Sequence, residues 1–170
     1  LARLRVGDPL DKSTDIGAIV SAEQLDRIAG LVASGEAEGG TLHRADAALP
    51  ETGHFHAPGF FTGAEAASRV AREEIFGPVE TVLGFDTEEE AIELANSLPY
   101  GLASAIWSEN ITRAHRVAGQ IEAGIIWVNS WFLRDLRTPF GGSKQSGVGR
   151  EGGVHSLEFY TEMKNICVKL

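Results

Sequence analysis

An α/β fold built on a parallel sheet is what the sequence predicts, and three observations predict it. Residues 102 to 128 read as an apolar strand, a capped helix of about a dozen residues and a second apolar strand, a connection that suits parallel neighbours. Short apolar runs alternate with amphipathic stretches along the rest of the chain. The composition, 43% apolar and 23% charged, belongs to a folded domain with a core and not to a disordered chain.

Each element follows from local signals. Gly7 to Asp15, rich in Gly, Pro and Asp, reads as a loop that delivers the chain into the apolar run Ile16 to Val20. Ser21 and Gln24 have capping-box spacing, and Leu25, Ile28, Ala29 and Val32 recur on one helical face until the glycines at 35, 39 and 40. Strand-like runs follow at Gly40 to Arg44 and His54 to Thr62, and a clearer one at Val79 to Phe85. Thr87 and Glu90 repeat the capping-box spacing ahead of Ala91, Leu94 and Ala95. Leu102 to Trp107 is the next strand, and Asn110 caps a helix bearing Ala114, Val117, Ala118 and Ile121. Gly124 takes the C-cap place, and Ile125 to Val128 is a fully apolar strand. After Asn129 comes a long glycine-punctuated loop, and alternation from Phe159 to Leu170 predicts a final edge strand. No internal repeat or low-complexity linker interrupts the chain.

Length and charge bound the function. A chain of 170 residues buries roughly 70% of the surface its unfolded form exposes, so one compact unit is expected. The net charge is −9, and basic residues are dispersed apart from Arg134, Arg137, Lys144 and Arg150, which argues against nucleic acid as a partner. No apolar run reaches the length of a membrane span, so no membrane is expected. The amino terminus, Leu-Ala-Arg-Leu-Arg, has neither an initiator methionine nor an h-region and reads as a chain interior. The single cysteine, Cys167, allows no internal disulfide and fits a cytoplasmic protein.

Several motif matches fail on context. Gly147-Val-Gly-Arg-Glu-Gly152 satisfies G-x-G-x-x-G, yet the preceding Gly-Gly-Ser-Lys-Gln-Ser is no apolar strand, so backbone turns explain it better. Gly141-Gly-Ser-Lys144 lacks the first glycine of a phosphate loop. His54 and His56 have no adjoining carboxylate cluster, so no metal site is expected. Cys167 sits between Ile166 and Val168 with no histidine near in sequence; it reads as a packed, protonated thiol and not a nucleophile.

Two stretches carry chemistry. Glu73 and Glu74 would ordinarily form a solvated acidic pair, but the rigid Ile-Phe-Gly-Pro turn that follows suits another use. A carboxylate placed there can accept hydrogen bonds from a ribose diol while Phe76 packs on a flat heterocycle. Arg134 and Arg137 follow Trp131-Phe-Leu133, so a guanidinium against an aromatic wall is available to hold a carboxylate bidentately. A salt bridge to Asp135 or to a neighbouring subunit is the alternative.

Glu73-Glu-Ile-Phe-Gly-Pro-Val79, Ala95-Asn-Ser-Leu-Pro-Tyr-Gly-Leu-Ala103 and Arg134-Asp-Leu-Arg-Thr-Pro-Phe-Gly-Gly-Ser-Lys-Gln-Ser-Gly-Val-Gly-Arg-Glu151 occur in order, and together resemble the C-terminal third of an NAD(P)-dependent aldehyde dehydrogenase. The likeness runs from about Leu4 to Leu170. It implies a three-layer αβα fold, with residues 1–155 as part of the catalytic domain and 156–170 as an oligomerisation segment that builds a homo-oligomer. It implies NAD as cofactor, with NADP left open, and a small-molecule aldehyde as substrate. By the same resemblance Glu74 holds the nicotinamide ribose, Phe76 lies beside the nicotinamide, and Gln24 and Arg27 reach the cofactor from the following helix. Asn129 to Gly142 resembles the branch that oxidises 2-hydroxymuconate or 2-aminomuconate semialdehyde, so Arg134 is expected to bind the distal carboxylate and Phe140 to line the aldehyde end.

In that family a cysteine thiolate adds to the aldehyde, hydride leaves to NAD, and water hydrolyses the thioester. The nucleophile and the general-base glutamate lie in segments upstream of Gly7, so no residue of this chain is expected to be catalytic and the chain alone is expected to be inert. A non-catalytic assembly module, and another branch such as a betaine aldehyde dehydrogenase-like enzyme, remain alternatives.

Overall fold

Ser21, in extended backbone, accepts the Gln24 N–H through Oγ at 3.1 Å and opens α1 (Ala22–Ala37). Residues 28, 31, 32 and 35 of α1 are buried, which is the spacing of one helical face. Gly35 lies inside the helix and does not end it: a Cβ there would meet Val70 Cγ1 at 2.7 Å and Phe61 Cζ at 2.8 Å. Gly39, with φ of 93°, follows the helix. The chain continues through β1 (Thr41–Arg44), β2 (Gly59–Thr62), α2 (Arg69–Arg72) and β3 (Val79–Thr81). β2 is central, antiparallel to β1 and parallel to β3. Ile28, Leu31, Val32, Phe61, Val70, Ile75 and Val79 form the core of these elements.

The remaining elements are α3 (Glu88–Asn96), β4 (Tyr100–Gly101), β5 (Ala103–Ile106), α4 (Ile111–Ala118), β6 (Ile125–Val128), β7 (Ser143–Lys144) and α5 (Gly153–Tyr160). Thr87 Oγ1 accepts the Glu90 N–H at 3.2 Å and caps α3; Asn110 Oδ1 accepts the Arg113 N–H at 2.9 Å and caps α4. β5 and β6 pair in parallel, from Ala103 opposite Ile125 to Ile106 opposite Val128, with α4 as the crossover. β4 and β7 pair antiparallel.

The computed structural model describes residues 1–170, and the fold is mixed α/β with parallel pairing at the expected strands. Besides the place of Gly35 and the shorter strands, four details differ from expectation. The chain forms two compact units, Leu1–Gly84 and Phe85–Leu170, where one was expected. Ile16 to Val20 contributes a single bridge, Ile16 to Val6, and Val20 is exposed, so the apolar run never gains a ladder. Gly119, not Gly124, is the C-cap of α4. Gly124 is instead required by closeness, since a Cβ there would overlap the Gly141 carbonyl oxygen.

The fourth concerns the carboxyl terminus. Phe159 and Tyr160 end α5, and 161–170 pair with no strand of this chain, so the expected final strand is replaced by a helix and an unpaired extension. The physical reason is that Phe159 packs against Gly149, where a Cβ would run into the ring, while alternation alone supplies no edge to pair with. Cys167 is correspondingly exposed, not packed. No helix is long and apolar enough to cross a membrane.

Candidate functional site

The turn after α2 is held from both sides. Ile75 and Val79 are sunk in the core at 6% and 5% exposure, and between them Phe76 adopts φ of 57°, a left-handed conformation that a bulky residue reaches only under constraint. Its ring consequently stands 67% exposed. Gly77 lets the turn lie against α1, because a Cβ there would meet Ile28 Cδ1 at 2.7 Å. Gln24 Nε2 donates to the carbonyls of Ile75 and Phe76, each at 3.4 Å, and Arg27 Nη2 donates to that of Glu74 at 3.4 Å. Four residues named from the sequence, Gln24, Arg27, Glu74 and Phe76, are thus one cluster.

Within the acidic pair the two carboxylates differ. Glu73 closes both arms of the Arg69 guanidinium, at 2.6 and 3.2 Å, and those hydrogen bonds hold its carboxyl below the usual range. Glu74 is exposed and enters no ion pair, although Glu73, Glu74, Phe76 and Glu80 line one cavity of about 390 Å³. Glu74 and Phe76 therefore bring a carboxylate outside any ion pair and an exposed ring to the same cavity, while Gln24 and Arg27 donate to the carbonyls of the turn that carries them.

A second cluster forms within the other compact unit. Asn129, with φ of 50°, clamps Ser108 by accepting its N–H and donating to its carbonyl, both at 2.8 Å. Trp127 Nε1 donates to the Leu133 carbonyl at 2.7 Å, and its ring lies 5.1 Å from that of Trp131. Trp131 and Phe132 remain 68% and 63% exposed and give the loop an apolar wall. Two residues beyond Phe132 is Arg134, whose guanidinium sits 4.1 Å from the Phe140 ring centroid. Its side chain is 25% exposed, Nη2 donates to Glu151 Oε1 at 2.6 Å, and Nε is buried without a partner. Arg137, 87% exposed, pairs with Asp135. The two arginines are thereby distinguished: Arg134 stands on the aromatic surface and Arg137 does not.

Sequence reasoning missed Glu151. Phe140 and Glu151 form an isolated antiparallel bridge, with both N–H groups donating across it at 2.7 Å. Nothing in the spacing of these two residues announces that pairing.

The rejected motifs have other tasks. Lys144 Nζ donates to the carbonyls of Asn96 and Leu98 and pairs with Glu122, which uses its donors up. In the G-x-G-x-x-G run, Gly149 lies under Phe159 and Gly152 has φ of 102°. His56 Nδ1 donates to the Ala57 carbonyl at 2.8 Å, and burial pulls the imidazole pKa down.

The aldehyde dehydrogenase family pattern matches residues 1–166. A 2-hydroxymuconic semialdehyde dehydrogenase of Pseudomonas putida is 58% identical, over 98% of this chain and 35% of its own length. A 2-aminomuconic semialdehyde dehydrogenase of Danio rerio is 44% identical, over 98% of this chain and 36% of its own. Among solved structures, an indole-3-acetaldehyde dehydrogenase of P. syringae in complex with NAD+ superposes with a TM-score of 0.91 at 44% identity, covering 99% of this chain and 34% of that one. The chain thus spans about a third of the length of the relatives it matches. With its family pattern running almost end to end, the chain belongs to the aldehyde dehydrogenase family.

Proposed function

We propose that this chain is part of an NAD-dependent dehydrogenase that oxidises an aldehyde bearing a distal carboxylate, of the 2-hydroxymuconate semialdehyde type, to the acid. Arg134 carries this reading: its guanidinium is oriented by Phe140 at 4.1 Å, is largely screened from water and keeps a donor free. A desolvated, planar fork suits a carboxylate far better than a cationic or neutral group. The names of the relatives from Pseudomonas putida and Danio rerio point the same way.

The residues of the first cluster fit a dinucleotide's nicotinamide end, because an unpaired carboxylate stands beside an outward-forced ring. NAD, when bound, supplies the hydride acceptor. Glu74 accepts hydrogen bonds from the ribose hydroxyls, Phe76 offers its face to the nicotinamide, and Gln24 and Arg27 keep both in place through the turn's carbonyls. Arg134 takes the substrate carboxylate with Phe140 behind its guanidinium, so Phe140 serves the carboxylate end and not the aldehyde end expected from the sequence. The covalent steps at the aldehyde belong to residues outside these 170. Cys167, exposed in an unpaired extension, is not assigned to them. Taken alone, the chain is expected to form no NADH.

We further assign residues 1–155 to the catalytic domain and 156–170 to a segment that joins copies of the enzyme. Support comes from Met163, Ile166, Val168 and Leu170, which are exposed and pair with no strand of this chain. An unpaired Cys167 favours a reducing, cytoplasmic setting.

Arg134→Ala in the intact enzyme tests the substrate assignment. A charge-assisted contact contributes about 1.5 to 3 kcal/mol, so kcat/KM for the carboxylated aldehyde should fall about 10- to 100-fold relative to a neutral one. Equal losses on both substrates would remove Arg134 from the pocket.

A further inference from the structure

Among the arginines that hydrogen-bond a carboxylate, Arg134 does so differently. Arg5 to Asp15, Arg69 to Glu73, Arg116 to Glu88 and Arg137 to Asp135 each engage both Nε and Nη2. Arg134 gives Glu151 only Nη2, and its Nε is buried with no acceptor. A buried N–H without a partner is costly, and a carboxylate approaching the Nε and Nη2 edge would remove that cost.

Glu151 is fixed by its backbone and loose at its carboxylate. The bridge to Phe140 holds its main chain, and Gly152, whose φ is 102°, turns the chain immediately after it. The side chain is 53% exposed, so water replaces Arg134 as its partner at little expense. The same bridge aligns Phe140 under the guanidinium, which keeps Arg134 in place when Glu151 departs.

We propose that Glu151 is an exchangeable carboxylate, occupying half of the Arg134 fork until the substrate carboxylate takes the whole of it, and so determines specificity. It rests on the proposed role of Arg134 and adds a competitor within the protein. Glu151 keeps the guanidinium from standing unpaired when no anion is present, and it turns away anions too weakly placed to use both donors. No proton or electron moves in this exchange; one hydrogen-bond acceptor replaces another.

The test uses the intact enzyme with NAD+ and compares kcat/KM for a carboxylated semialdehyde and for benzaldehyde. Glu151→Gln removes the competing charge, and the ratio of carboxylated to neutral substrate should rise about two- to fivefold, the scale of an exposed ion pair. Inhibition by benzoate should strengthen by a similar factor. In an Arg134→Ala background the same substitution should leave the ratio unchanged. Glu151→Asp, which keeps the charge, should stay closer to the unsubstituted enzyme than Glu151→Gln does. Should the glutamine variant not fold, Glu151→Ala carries the same expectation, since the bridge uses backbone atoms alone. A ratio that stays level or falls in Glu151→Gln overturns the exchange. If Arg134→Ala itself leaves the ratio unchanged, the substrate assignment fails instead, and the two failures are told apart.

Discussion

At the scale of single residues, function is separated from scaffold by what each charge is doing. Glu73 and Glu74 are neighbours of one type, yet Glu73 is bound to Arg69 and Glu74 is free. Glu74→Gln, which weakens a charged acceptor, should therefore raise KM for NAD+ by about tenfold, at 1.4 kcal/mol per tenfold, with little loss of stability. Glu73→Gln should spare KM; a reversed pattern would exchange their roles. This cluster is legible in the sequence because Glu-Ile-Phe-Gly-Pro is compact and local. That Gln24 and Arg27 hydrogen-bond the backbone of 74–76, and that Glu151 meets Arg134, is not legible there, because both depend on contacts between distant positions.

Elements are legible in proportion to how local their signals are. Ser21, Thr87 and Asn110 each accept the expected N–H three residues on, so all three helix starts can be read from capping chemistry. Strands read longer than they are: Val79 to Phe85 yields only Val79–Thr81 because pairing, not apolarity, defines a strand's length. Gly35 reads as a stop because a sequence cannot show that Phe61 and Val70 press on that face. Two glycines of α1 turn this into a measurement of sign. A methyl group added at Gly30 would have nothing within 4 Å, so Gly30→Ala should stabilise by about 0.5 to 1 kcal/mol. Gly35→Ala, wedged against buried side chains at 2.7 and 2.8 Å, should destabilise by about 1 kcal/mol after the same helical gain. Urea midpoints for the pair decide it, and two stabilising substitutions would contradict the packing of α1.

For the molecule as a whole, the titrating groups set a direction with pH. Hydrogen bonds from Arg5, Arg69, Arg116 and Arg137 hold Asp15, Glu73, Glu88 and Asp135 below their usual values of 3.8 to 4.5. The unfolded chain binds those protons first, so this stability is present above the usual carboxyl range and is lost as pH falls through it. All four groups are solvated, which makes the loss modest and sensitive to salt. His56 is lowered from 6.5 by burial, so it adds a smaller decline as pH falls below that value. Denaturation midpoints should thus decrease from neutral pH toward acid; a rise toward about pH 4 would contradict these pairings. The α/β class is readable from one βαβ unit, whereas the division at Gly84 is not, since it reflects how segments cluster and not what any of them contains. The most direct test of the functional conclusion is NADH formation by the intact enzyme, given NAD+ and either a carboxylated semialdehyde or benzaldehyde. The expected result is a kcat/KM preference for the carboxylated substrate that Arg134→Ala abolishes. Equal use of both aldehydes, or a preference that survives the loss of Arg134, would contradict it.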